Sequence, residues 1–533
     1  MTLLVLAKER FDDLTEVEEK LFSEIQKTGV AVFHEKWENI DPSTADLPEL
    51  RAECVAWLLT DRKAGELITH RGATVKGARL TGKLDASFAR FPWQFGLIRC
   101  HLLRTIILLD ASLGVLSLSG SRITLLIGDR MQISGGLFLD DGFAAHGELR
   151  LLGASIGECM QCSGAVFCNE GDHALTGDGM HIAGNLYFDS DFVAIGEVRL
   201  LRSSIGGDLI CSDGVLINEE GTALNLEGIS VVGVVFLREL LVAGRIVADV
   251  AKLDKGLELK NNSWRSGGFL SLGGTVVGGL CDTKDGWPAK GNLCVNGFTY
   301  EAIHDEATKN VAERLAWLDL QPDDEYRPQP YEQLAAVYAR NGFGSQARKV
   351  LIAKNDKLLW FYRHRSPLKR RKTYMAEFLK AQGDERIDAA ERLLPDRFKA
   401  ETDRLPKHNW GRHFWHWFLG KCVGYGYRPQ RLLYIALGMV AVGWLLFGWG
   451  GGQGAMVPAL AGAQECPRFQ PLVYSLDTFL PLVDLEQKSR WVPDSRVAWS
   501  VGSLLGGYQV FHILMGWFLT TMGVAALIDR LKR

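Results

Sequence analysis

Between residues 80 and 280 the apolar positions recur in one short phrase: an aliphatic residue, two positions usually including Gly, a variable residue, then a second apolar one. It reads LTGKL at 80, ISGGL at 133, IGECM at 156, IAGNL at 182 and IGGDL at 205, then VVGVV at 231, LDKGL at 253 and VVGGL at 276. From 133 the steps are 23, 26, 23, 26, 22 and 23 residues. A longer self-match, GELRLLGASIGECMQCSGAVF from Gly147 against GEVRLLRSSIGGDLICSDGVL from Gly196, sets a period of 49. A fixed period of roughly 20–50 residues marks a solenoid. The local alternation in GNLYFD and GEVRLL has period two, so the repeating units are strands. Short strands punctuated by Gly, Ser, Asp and Asn predict the sides and corners of a parallel β-helix, in which stacking supplies the core that no single rung has. A β-sandwich is the competing fold, but it does not require a 49-residue self-match.

Solenoid ends expose unpaired strand edges and need caps. LTEVEEKLFSEIQ opens with a Thr15–Glu18 capping box, and ELRAECVAWLLT (49–60) has helical periodicity. Residues 1–73 are therefore read as a helical cap and 74–300 as the β-helix. A helical domain follows over 301–408. TKNVAERLAWLDLQP predicts one helix, and RPQPYEQLAAVYARNGFGSQARKVLIAK predicts a hairpin that stops at Asn341-Gly342 and restarts from Ser345.

Beyond it, RHRSPLKRRK carries Arg363, Arg365, Lys369, Arg370, Arg371 and Lys372 without an acid. Such a run is either a solvated linker or a patch for anionic lipid. Residues 409–430 set Trp415 and Trp417, with further aromatics, beside Arg412, Lys421 and Arg428. That composition suits an interfacial amphipathic segment. His413 and His416 stand i, i+3, but no acidic or Cys partner accompanies them, so no metal is assigned.

Two long uncharged runs then appear, 432–449 and 508–528. Each is long enough to cross a bilayer. Arg428 and Arg431 precede the first; Arg530, Lys532 and Arg533 follow the second. The positive-inside rule then places both ends, and the β-helix, in the cytoplasm. The opening MTLLVLAKERFDD is too short an apolar stretch for a signal peptide. Between the runs lies YSLDTFLPLVDL (474–485), apolar but too short to cross. It is either a re-entrant pore loop or a helix resting on the outer leaflet. In the second run Gln509, His512, Gly516, Thr520 and Gly523 share one helical face. That face either lines a water path or makes a tight helix contact, and both need a partner surface.

Net charge is −3, which gives no reason to expect nucleic acid. Ten cysteines are scattered without even spacing, so a disulfide scaffold is not expected. No Gly-rich strand–helix turn offers a dinucleotide site. The one C-x-x-C, Cys159–Cys162, lies inside a repeat; a shift of 49 maps Cys162 to Cys211 but Cys159 to Asp208. One of the pair therefore faces inward and the other outward. No cofactor is assigned, and a non-enzymatic role is favoured.

Residues 74–282 resemble pentapeptide-repeat and related right-handed β-helix proteins, without their strict five-residue register. Residues 430–530 resemble the two-helix pore module of potassium-channel-like proteins, with Tyr474 to Leu480 matching the pore helix. On that resemblance Tyr474, Asp477 and Thr478 become pore residues, and Gln509, His512, Gly516 and Thr520 pore-lining ones. Where that family has Thr-Val-Gly-Tyr-Gly, this chain has Leu480-Pro481-Leu482-Val483-Asp484. The potassium filter therefore does not carry over; Asp484 and Glu486 would instead form a carboxylate ring favouring cations. The whole chain also resembles a bacterial family commonly labelled membrane-associated oxidoreductase. The expectation is an inner-membrane homo-oligomer, a tetramer among the candidates, in contact with lipid and forming a cation-preferring pore. A membrane-anchored scaffold whose solenoid binds a protein partner is the alternative, and an oxidoreductase the third reading.

Overall fold

Each buried backbone amide in a stacked strand must find a carbonyl on the turn above or below. In the computed structural model, which describes residues 2–304, 310–364, 430–459, 468–494, 496 and 500–531, this requirement builds a parallel β-solenoid of about 10 turns. Its turns stack into one sheet of 17 strands and another of 16. The chain divides into two compact units, Met1–Val350 and Leu351–Arg533.

The five-residue phrase is a bend between two short strands of one sheet: Gln132–Ile133 ends at Ile133, and Leu137–Phe138 begins at Leu137. Ile133, Ile156, Ile182, Ile205, Val231, Leu253 and Val277 stack in register, none more than 2% exposed. A second buried column runs Leu137, Met160, Leu186, Leu209, Val235, Leu257, Leu280. The other sheet contributes Leu149, Leu175, Val198, Leu224, Ile246, Leu270 and Leu293. Each such side chain contributes about 1.5–3 kcal/mol over its exposed state, and together they form the core.

Two phrases depart from the sequence register. LTGKL belongs to the second sheet, where Leu80 pairs with Leu102 and Leu84 with Ile106. VVGGL is one residue short between its buried positions. Leu253 pairs with Val277, Val276 is left exposed, and a bulge after Leu253 restores the register.

The 49-residue period is a two-rung unit: 11-residue strands Val166–Thr176 and Val215–Asn225 alternate with 7-residue strands Val193–Arg199 and Leu241–Val247, and polar bridges follow the same period. Asp129 and Asp178 occupy the same corner on alternate turns, with Leu152 and Leu201 on the turns between, as the ladder bonds from Arg130, Gly153 and Gly179 show. Arg150 forks onto Asp129 from the next turn, and Arg199 forks onto Asp178 (Nε to Oδ1 3.1 Å in both). Glu148 accepts from Thr176 in the same way that Glu197 accepts from Asn225. The next corner position has positive φ on every turn, taken by Gly153, Gly179, Gly228 and Gly274 but also by Arg130, Arg202 and Val250.

At the N-terminal end, α1 (Leu3–Arg10), α2 (Glu16–Thr28), α3 (Ala52–Thr60) and α4 (Arg62–Glu66) accompany two strands that start the sheets. Val30–Val32 pairs with Ala73–Lys76, and Glu49–Arg51 with Arg79–Thr81. The solenoid therefore begins well before residue 74, and the first residues of ELRAECVAWLLT are strand. The Thr15–Glu18 capping box forms. Burial works to raise the Glu18 carboxyl, but bonds from Arg51 and the Thr15 amide outweigh it and hold it at about 2.

At the other end, α5 (Val311–Leu318) brings Arg314 onto Asp282, both fully buried. The Arg314 Nη1 donates to Asp282 Oδ2 at 2.8 Å, and Trp287 Nε1 donates to the same oxygen at 2.7 Å. Next come α6 (Gln329–Arg340) and α7 (Gly344–His364), separated at Asn341-Gly342 as the sequence indicates. Gln333 and Gln329 of α6 donate to the carbonyls of Tyr300 and Phe298, pairing part of the last turn's open edge.

The second unit contains α8 (Gln430–Gly452), α9 (Pro471–Phe479), α10 (Gln487–Arg490) and α11 (Val501–Leu531). Met456–Pro458 pairs antiparallel with Trp491–Pro493. Among the described residues α8 is the one helix that is long and apolar enough to cross a membrane, with mean hydropathy 2.0.

Asp282→Ala takes a buried carboxylate partner from Arg314 and should cost about 3–5 kcal/mol, read as a lowered melting temperature by circular dichroism. Val250, a β-branched residue at φ 56° that is 69% exposed, strains its corner without contributing core contact. Val250→Gly should stabilise by about 1 kcal/mol, and an unchanged or lower melting temperature would contradict the strain.

Candidate functional site: a short helix held between two long ones

The proline at 471 sits in the first turn of α9, where its missing amide costs nothing, and Pro481 ends the helix by forcing Leu480 into extended geometry. The nine residues between reach roughly 13 Å, less than half the thickness of a bilayer core. The two prolines thus make a helix too short to cross a bilayer.

Its depth is fixed by its neighbours. Gly451 faces the Phe469 ring and Gly448 faces Pro471, so α9 starts beside the C-terminal end of α8. Tyr474 packs its ring against Phe447 (4.8 Å between centroids) and Phe469 (5.4 Å). Ser475 donates to the Val440 carbonyl at 2.9 Å. Phe479 joins Val440, Leu432 and Leu519 in a cluster that Leu480 also touches. The helix therefore runs antiparallel to α8 and ends past its middle.

Close approach at this level depends on two glycines. A Cβ on Gly443 would collide with the Ser475 hydroxyl and the His512 ring; one on Gly516 would collide with the Phe479 carbonyl. His512 of α11 is fully buried, its Nε2 3.2 Å from both the hydroxyl and the carbonyl oxygen of Ser475, its Nδ1 3.3 Å from the Tyr508 hydroxyl. Ser475 thus ties all three helices together.

Asp477 organises the return. Its carboxylate accepts from the amides of Leu485 (2.8 Å), Gln487 (2.9 Å) and Lys488 (2.8 Å), and the Lys488 ammonium lies 3.4 Å away. Residues 480–488 therefore fold back against the helix they have just left. Gln487 continues the return by accepting from the Gln470 amide, and the 456–458/491–493 ribbon closes the top.

Tyr474, Asp477 and Thr478, expected as filter residues, are each at most 5% exposed, and their surroundings are α8, α11 and the returning loop. Thr478 donates to the Tyr474 carbonyl. The shared face of α11 is divided: His512 and Gly516 are committed to contact with α9, Gln509 is half-buried, and Thr520 donates to the Gly516 carbonyl. Asp484 and Glu486 stand exposed on the loop, Asp484 accepting from the Glu486 amide and Glu486 pairing with Arg490. Tyr474 and Ser475 of α9 are fully buried, while Leu472 on the same helix is 45% exposed. Sequence reasoning missed Ser475, Gly443 and Lys488. A glycine in an apolar run was the one available signal, and it does not say which helix it admits.

Arg363 lies in the last turn of α7. Arg365, Lys369, Arg370, Arg371, Lys372, Trp415, Trp417 and the His413/His416 pair lie outside the described residues. Cys54, Cys100, Cys159, Cys162, Cys168, Cys211 and Cys294 are free thiols. Cys159 is half-buried, and burial pushes the Cys162 thiol well above its ordinary range, which makes it a poor nucleophile. Among the described residues no three His, Cys, Asp or Glu side chains gather to hold a metal.

Gly516→Val should cost about 1–3 kcal/mol by overpacking, read as a lower melting temperature in detergent. Gly523→Val, on the same face with open space around it, should leave the temperature unchanged; equal losses at both sites would remove the close-contact assignment. Comparison with protein-family models, curated proteins and solved structures found no match.

Proposed function

We propose that the second unit is a membrane module that assembles with further copies of the chain into a cation-preferring pore in a bacterial inner membrane, with the β-solenoid on the cytoplasmic side as a sensing or gating domain. The observation that carries this reading is the loop 480–486: irregular backbone, bearing exposed Asp484 and Glu486, tied through Asp477 to a helix that meets α8 at its middle. Irregular backbone and carboxylates at that depth cannot face lipid; they require other protein or water. Further copies of the same loop around an axis supply both.

Support for two spans comes from α11, 31 residues long, which turns Leu504, Val510, Phe511, Leu514 and Trp517 outward. α8 does the same with Leu433, Leu437, Leu445 and Trp449. The basic residues at 428, 431, 530, 532 and 533 support a cytoplasmic position for both outer ends of the pair.

The charge of the loop supports cation preference. Asp477 is neutralised by Lys488 and Glu486 by Arg490. Asp484 is the loop carboxylate for which no cationic partner is found among the described residues, so each copy brings one uncompensated negative charge to the assembly. A ring of such charges favours cations and excludes anions.

A second reading, a membrane-anchored scaffold, draws on a cleft of 440 Å³ on the first unit, lined by Val337, Tyr338 and half-exposed Phe343. It leaves the buried geometry of α9 without a purpose, and we rank it second.

Full-length protein in planar bilayers separates the two. Asp484→Asn should lower the cation-to-anion permeability ratio and Asp484→Lys should invert it. A ratio that ignores both substitutions would overturn the carboxylate assignment.

A further inference from the structure

The loop's exposed side chains are not all carboxylates. Leu482 is 84% exposed, more than any other large apolar residue described. It sits at the turn that follows Leu480-Pro481, while Leu480 beside it is held in the cluster with Leu432, Val440 and Phe479. The turn is anchored from behind: Val483 donates to the Leu480 carbonyl, and Lys488 donates to the Val483 carbonyl at 3.3 Å. The anchored backbone holds Leu482 outward on a fixed stem.

On a membrane helix, a leucine exposed to lipid would be ordinary. Here it projects from irregular backbone that lipid cannot cover, beside the charged Asp484. The occupant of the space around it is therefore the same turn from other copies of the chain. Leucine tips brought together leave no group to hydrogen-bond water, and a narrow apolar ring empties of water and stops ions. Asp484, two residues on and exposed, would then sit on the wet side of that ring.

We propose that Leu482 forms the closed constriction of the assembly, one leucine from each copy, with Asp484 as the cation-attracting vestibule beside it. The proposal rests on the pore reading and assigns two separate tasks to neighbouring residues: Leu482 decides whether ions pass, Asp484 which ions pass.

The test is resting cation flux from liposomes containing the full chain, comparing wild type with Leu482→Asn, Leu482→Thr and Leu482→Phe. Leu514→Asn, on the outward face of α11, serves as the control for a polar change elsewhere. Both polar variants at 482 should raise resting flux by about tenfold or more, because the transfer free energy of even one leucine is worth that factor; Leu482→Phe should stay at the wild-type level. In parallel, Leu482→Cys should give an oxidation-dependent cross-link between copies beyond any seen in wild type. Leak in the polar variants together with the cross-link supports the constriction. If Asp484 substitutions shift ion preference while Asn and Thr at 482 conduct like wild type, the constriction is overturned and the pore stands. If no variant conducts and the Leu482→Cys protein forms no cross-link, the pore reading fails and takes the constriction with it. Asn and Thr differ in size, so misfolding of one, visible as a lost melting transition, leaves the other to decide.

Discussion

A buried amide or carbonyl without a partner costs more than most side-chain contacts return, and both units of this protein are answers to that constraint. In the solenoid the partner of each turn is the next turn, from Val30 to Ile303, with local register shifts absorbed in bulges. In the second unit the difficult segment is the non-helical return after α9. There the amides of Leu485, Gln487 and Lys488 are satisfied by a single side chain, Asp477.

The constraint also explains where polar residues are tolerated inside. A stack of turns must stop, and its last edge presents groups with no further turn to pair them. Asp282 and Arg314 hold a helix over that end, while Gln329 and Gln333 take up carbonyls of the terminal strand. Asp477 with Lys488 is the corresponding device of the helical unit. Each is a carboxylate at the point where regular structure ends, and each is enclosed by the segment it organises. Removing Asp282 would take an acceptor from Arg314 and the Trp287 indole, and removing Asp477 would take one from Lys488 and three amides.

Ser475 and the two glycines, Gly443 and Gly516, define how far α9 descends. Because no side chain stands in the way, its backbone contacts both long helices, and the turn it delivers is correspondingly rigid. The proposed division between an apolar tip at Leu482 and a charge at Asp484 depends on that rigidity. A loop free to wander could not hold a leucine and a carboxylate at different levels of one path.

How much of this was legible in the sequence follows from how local each cause is. The strand period, the self-match beginning at Gly147 and Gly196, the Thr15–Glu18 box, the Asn341-Gly342 stop and the long apolar run of α8 are written in neighbouring residues, and the sequence determined them. The repeat could be counted, but that Asp129 and Asp178 stand on alternate turns at one corner, each bridged by an Arg of the next turn, is visible only when turns are stacked. Proline at 471 and 481 set the length of α9. What only the tertiary structure decided is what each polar residue faces. Asp477, Thr478 and Tyr474 read as candidates for a water path because they are polar or amphipathic within an apolar segment. Packing turns them inward, since α9 lies between two helices and has no open side at those positions. Leu482 and Asp484 are left facing outward for the same reason: they lie just past the proline, where the helix that would have buried them has already ended.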